Sequence, residues 1–173
     1  MSMDDRAAIP LDSETKVSER PADHEAELRL WLRLLTCTTL IEGEIRRRLR
    51  DSFDVTLPRF DLLAQLDKAP NGMTLGELSQ RMMVSNGNVT GLSERLVEQG
   101  LLDRRASPTD RRAQIVSLTA EGRRMFRTMA RTHEDWVADI VARLSAGEID
   151  TLMALLAKTK ASTRKAVTER EAS

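Results

Sequence analysis

The chain has 173 residues, enough to bury one domain's core but short for two independent ones. Its 27 basic side chains are balanced by 27 acidic ones, so attraction to a polyanion has to come from local patches rather than from net charge. One cysteine and two histidines exclude a disulfide framework and leave no cluster with zinc-ligand spacing. There is also no Gly-rich phosphate loop and no nucleophile elbow, so no metal, cofactor or catalytic constellation is expected, and an enzyme is a poor reading. With neither a secretory segment nor an apolar run of membrane-spanning length, a cytoplasmic protein is expected.

Residues 1–22 are polar, contain Pro10 and Pro21, and keep no sustained period, which predicts a disordered tail. Over 23–55 the apolar positions Leu28, Trp31, Leu34, Leu35, Ile41, Ile45 and Leu49 recur at helical spacing. The long helix they predict exceeds what a small domain needs for its own core, so part of its face should meet another chain. Cys37 falls inside this pattern and is expected to be a small buried hydrophobe. The Arg46-Arg47-Arg48 run, with Arg50, is a candidate basic patch. Thr56 and Pro58 then mark the start of a second helix, with Phe60, Leu63, Ala64 and Leu66 on its apolar face, until Ala69-Pro70-Asn71-Gly72 breaks it.

Thr74 and Glu77 have capping-box spacing, which predicts a short helix with Leu75, Leu78 and Met82 on one face. Ser85 suits the next N-cap, and a helix over about 86–99 would bury Val89, Leu92, Leu96 and Val97 before Gly100 stops it. Its other face carries Asn86, Gly87, Asn88, Thr90, Gly91 and Ser93. These are poor helix formers where a solvated face would normally hold Glu, Lys or Gln. Short polar side chains near a helix N-terminus can approach base edges in a major groove; a small-residue face packed against another helix is the competing reading. The residues beyond Gly100 favour the first. Residues 101–105 read as a strand, 106–110 as a turn and 113–118 as a returning strand, giving a hairpin whose far end carries Arg104, Arg105, Arg111 and Arg112. Arginine at such a tip suits a narrow minor groove.

A helix-turn-helix followed at once by an arginine-tipped wing resembles the MarR family of winged helix-turn-helix transcription regulators. The run DRRAQIVSLT at 110–119, with Glu121-Gly122 after it, carries the likeness most sharply, and it extends from about Leu28 to Thr159. The resemblance implies a mainly α fold with a small β wing, in which a winged helix-turn-helix domain over 56–118 joins a helical dimerisation region made of the first, fifth and sixth helices. It makes Ser85, Asn86, Asn88 and Thr90 recognition-helix contacts and Arg95 a helix or phosphate contact. It also places Arg111 at the wing and makes Asp110 and Arg112 a wing pair in which the acid steadies the arginine. Gly91 departs from the basic or polar side chain that many members carry there.

Two C-terminal helices are expected over 119–165, the first capped by Thr119 and the second by a Ser145–Glu148 capping box, with a frayed tail at 166–173. Apolar faces in excess of one small unit's needs predict a homodimer, with recognition helices about 34 Å apart on a pseudo-palindromic operator. The function expected is a ligand-responsive DNA-binding regulator, a repressor, binding double-stranded operator DNA. The alternative is a helical dimeric adaptor whose winged unit binds protein. By resemblance, the effector is an aromatic acid or its coenzyme A thioester. Trp31, Arg33, Arg59, Phe60, Met129 and His133 are the candidates for its cleft: aromatics to stack and an arginine to meet a carboxylate. The plainer reading makes Trp31, Phe60 and Met129 core residues and leaves both arginines solvated.

Overall fold

The computed structural model describes residues 24–107 and 113–171, which fold as α1 (Glu25–Phe53), α2 (Leu57–Asp67), β1 (Met73–Thr74), α3 (Leu75–Met82), α4 (Asn86–Glu98), β2 (Leu102–Ala106), β3 (Gln114–Leu118), α5 (Ala120–Val141) and α6 (Ala146–Glu171). The expected N-terminal tail and the wing residues Asp110, Arg111 and Arg112 lie outside the described residues. Two compact units are present, Met1–Arg131 and Thr132–Ser173.

Local rules account for most helix ends. At α3 the capping box closes as its spacing predicts: the Glu77 amide donates to the Thr74 hydroxyl at 3.2 Å, and the Glu77 carboxylate accepts from the Thr74 amide at 2.8 Å. Those bonds favour the charged form and hold Glu77 below the usual carboxylate range. Gly100 has φ +70, and behind it the Leu101 amide donates to the Leu96 carbonyl at 2.9 Å, closing a Schellman turn. Met83 ends α3 in the same left-handed conformation, at φ 55, although it is not glycine. At α2, Thr56 occupies the N-cap position but makes no side-chain cap bond.

One strand is absent from the sequence expectation. β1 is two residues long and adds an edge to the hairpin, giving an antiparallel sheet of order β1-β3-β2 with Met73 opposite Val116. Gly72 feeds it at φ +78, where a Cβ would stand 2.4 Å from the Val116 carbonyl oxygen. Glycine is therefore required at that close approach.

The core of the first unit gathers Leu49, Leu62, Leu66, Leu78, Val89, Leu96, Val116 and Met129, none more than 1% exposed. α2 contributes Phe60, Leu62, Leu63 and Leu66 to it and packs against α3 and β3. The first half of α1 is different: Leu28, Leu30, Trp31, Leu35 and Leu40 are each 47–57% exposed. Cys37 lies in this half and is exposed, which corrects the expectation of a buried thiol: helical periodicity assigned it a face without saying whether that face is covered. In the second unit, Leu152, Met153, Leu155 and Leu156 of α6 are likewise open, at 42–67%. The Ser145–Glu148 box forms at the start of α6, which continues to Glu171, into the stretch expected to fray at 166–173.

Candidate nucleic-acid interface

α4 is built as a two-faced helix. Val89, Ser93 and Leu96 are buried, while Asn86, Gly87, Asn88, Glu94 and Arg95 are exposed. Ser85 caps it, its hydroxyl accepting from the Asn88 amide at 3.4 Å, so both side chains stand at the N-terminal end where backbone N–H groups carry partial positive charge. Thr90 is half-buried and donates its hydroxyl to the Asn86 carbonyl at 2.9 Å, leaving its lone pairs to accept. The expectation that Ser93 belongs to the open face is corrected: it is 1% exposed and donates to the Thr90 carbonyl at 2.9 Å. That bond satisfies the hydroxyl and lets a small polar side chain sit inside.

The remaining small residues leave real space. A Cβ on Gly87 or Gly91 would meet nothing within 4 Å, so internal packing does not demand glycine at either position. Between them and the start of α2 lies a groove of 420 Å³ bordered by Thr56, Pro58, Val84, Asn88 and Arg95.

The wing is gripped from the body. Arg104 on β2 approaches Glu94 of α4 at 3.7 Å, and Arg105 donates to the Asn71 carbonyl at 2.9 Å, beyond β3 and just ahead of β1. Both arginines were expected in the first strand at the hairpin's far end; the structure places them in that strand and gives each a partner in the body. Glu94 is the ion-pair partner that sequence reasoning missed, because Arg104 comes from the hairpin and no local spacing announces it. The Arg46–Arg48 run is also corrected as a free basic patch. Arg46 pairs with Glu42, Arg47 with Glu44 and Asp51, and Arg48 with Glu44, whose carboxyl is lowered to about 2 by those two guanidinium hydrogen bonds. Acids three and four residues ahead were a legible signal of this pairing.

The six effector candidates divide. Phe60 is 6% exposed and stacks on Phe126, with ring centroids 5.5 Å apart, and Met129 is 0% exposed. Arg59 is tied by hydrogen bond to Gln99 at the end of α4. Trp31, 57% exposed, and Arg33 are both on the open part of α1. His133 is half-buried, and burial holds its imidazole below the usual histidine range, against the pull of Glu134. The Phe60–Phe126 pair therefore belongs to the core.

A buried-backed helix with a small polar N-terminal face, next to a three-stranded wing, is the geometry of major-groove reading. Similarity to known proteins agrees with it. Residues 55–113 match the model of the MarR family. The chain is 30% identical over 117 residues, 65% of its length and 66% of the relative's, to the transcriptional activatory protein BadR of Rhodopseudomonas palustris. Among solved structures it resembles a MarR family transcriptional regulator from Silicibacter pomeroyi, with 28% identity, TM-score 0.70, and 83% of this chain and 99% of that one covered. It also resembles Sco3205 of Streptomyces coelicolor in complex with DNA, with 25% identity, TM-score 0.71, and 82% and 89% covered. The chain belongs to the MarR family of winged helix-turn-helix regulators and is a DNA-binding transcriptional regulator.

Proposed function

We propose that this regulator is a repressor that binds a pseudo-palindromic operator as a homodimer and is released by an aromatic acid or its coenzyme A thioester. The observation that carries the DNA-reading part is the open N-terminal face of α4, where Asn86 and Asn88 are exposed on a helix whose other side buries Val89, Ser93 and Leu96. Ser85, Asn86, Asn88 and Thr90 are the proposed base-edge readers, and Arg95 a phosphate contact. Arg111 and Arg112, steadied by Asp110, are the proposed minor-groove contacts by family resemblance. Asn88→Ala should cost about 1–3 kcal/mol of discrimination between operator and random DNA, read in shift assays with both DNAs. Equal losses on the two would mean that the helix reads no bases.

Gly91 gives a test with opposite signs. Alanine fits the free protein, since nothing lies within 4 Å of its Cβ, and should stabilise α4 by about 0.5–1 kcal/mol. If the face closes on DNA, the same methyl should weaken operator binding. A variant that is stabler and binds operator unchanged would take Gly91 out of the interface.

The dimer rests on unpaired apolar area. A 26-residue helix whose Leu152, Leu155 and Leu156 are open, together with the open half of α1, lacks the packing on which helices in proteins depend. A second copy supplies it by two-fold symmetry. Sedimentation at micromolar concentration should show a dimer, with Leu152→Glu shifting it toward monomer; a wild-type monomer would overturn the reading.

Assignment as a repressor follows the family resemblance, whereas the relative BadR is described as activatory. A reporter fused to the operator, with and without the regulator, decides the sign.

A further inference from the structure

Among the described residues only Asp54 and Met83 hold a positive φ without being glycine, at 54 and 55. Aspartate tolerates the left-handed region because its short polar side chain can bond locally; methionine has no such group and meets the steric cost. Met83 is also the most open large apolar residue described, at 92% exposure, so its side chain packs against nothing that offsets that cost. Glycine or asparagine would serve this helix end better.

The turn nevertheless holds Met83 in a fixed place. Its amide donates to the Gln80 carbonyl at 3.3 Å, the Val84 amide donates to the Ser79 carbonyl at 3.1 Å, and the Ser85 cap starts α4 two residues on. Val84 is 39% exposed, and Met82 and Val84 border the same groove as Gly87, Asn88 and Gly91. An apolar edge therefore adjoins the end of α4 that carries Asn86 and Asn88.

On base edges in the major groove the thymine C5-methyl is the apolar group that projects; the other distinguishing features are hydrogen-bond donors and acceptors. A side chain with no donor and only a weak thioether acceptor can discriminate there by covering that methyl. Asparagine suits adenine, the base that pairs with thymine, so Asn88 and an apolar neighbour fit one A·T-containing half-site. We propose that Met83 is a specificity-determining residue, packing its side chain on the C5-methyl of one thymine in each operator half-site. This rests on the proposed base reading by α4 and adds to it a contact from the turn ahead of the helix.

The test uses an operator recovered by selecting random duplexes on the full chain and resynthesised with uracil in place of each thymine in turn. Uracil removes the methyl and leaves the pairing edge intact. At one position per half-site it should weaken wild-type binding about fourfold, the effect of one buried methyl. In Met83→Gly that penalty should vanish while those at other thymines persist, and Met83→Leu should keep it. Glycine suits the left-handed turn, so the thermal midpoint of Met83→Gly should be unchanged or higher by about 2–4 °C, which separates a lost contact from a lost fold. Identical uracil penalties in wild type and Met83→Gly would overturn the contact. So would an equal loss of affinity by Met83→Gly on operator and random DNA, which would place the side chain against the sugar–phosphate backbone. If Asn88→Ala then also leaves discrimination intact, the reading by α4 fails as a whole; if Asn88→Ala loses discrimination, the failure belongs to Met83 alone.

Discussion

Phe60→Ala should lower the stability of this protein by about 3–5 kcal/mol, visible as a fall of roughly 10 °C in thermal midpoint. The ring is 6% exposed and stacks on Phe126 of α5 at 5.5 Å, so truncation empties a space between α2 and α5 and removes an aromatic pair. α2 packs against α3, and a loosened α2 would reach the end of α4 through the Arg59–Gln99 bond. Trp31→Ala is the contrasting variant: with 57% of the residue open in the protomer, it should cost the protomer core little and act on whatever covers α1. A loss below about 1 kcal/mol for Phe60→Ala would return that ring to the effector reading.

Gly122→Ala should be nearly as damaging, by a different route. A Cβ there would stand 2.1 Å from the Leu101 carbonyl oxygen, a backbone atom that has no rotamer by which to move away. The same carbonyl accepts the Thr119 amide at 3.1 Å and helps to seat the start of α5. The methyl therefore forces α5 and the α4–β2 junction apart, at a cost of about 3 kcal/mol or more. Because β2 begins at Leu102, the wing should shift with it, and operator affinity should fall together with the thermal midpoint. Gly43→Ala is the control, with nothing within 4 Å of its Cβ, and should be neutral or stabilising. A Gly122→Ala protein as stable as that control would show that the junction yields without cost.

Effects carried within one turn of chain were readable before any fold was known. The Thr74–Glu77 box, the Ser85 cap and the Gly100 stop depend on groups three to five residues apart, and each forms where its spacing places it. The helix-turn-helix and its wing come next, because periodicity and turn residues fix element type and order.

Position in three dimensions decided the rest. Ser93 and Asn88 are both short polar residues on one helix, yet one is buried and one open, since only the neighbouring elements determine which side is covered. Phe60 and Trp31 are both aromatics on helical stripes; the first meets Phe126, sixty-six residues away in the chain, and the second meets solvent in the protomer. Arg104 and Arg105 read as a free basic tip until the register of β2 brings them within reach of Glu94 and Asn71. β1 is too short to carry a pattern and exists because Gly72 lets the chain pass against Val116. The sequence by itself determined the helices and most of their caps, because those rest on short-range hydrogen bonds and on helical period. Only the tertiary structure decided which apolar faces are core and which charges pair between elements, because burial and such contacts depend on residues distant in the chain.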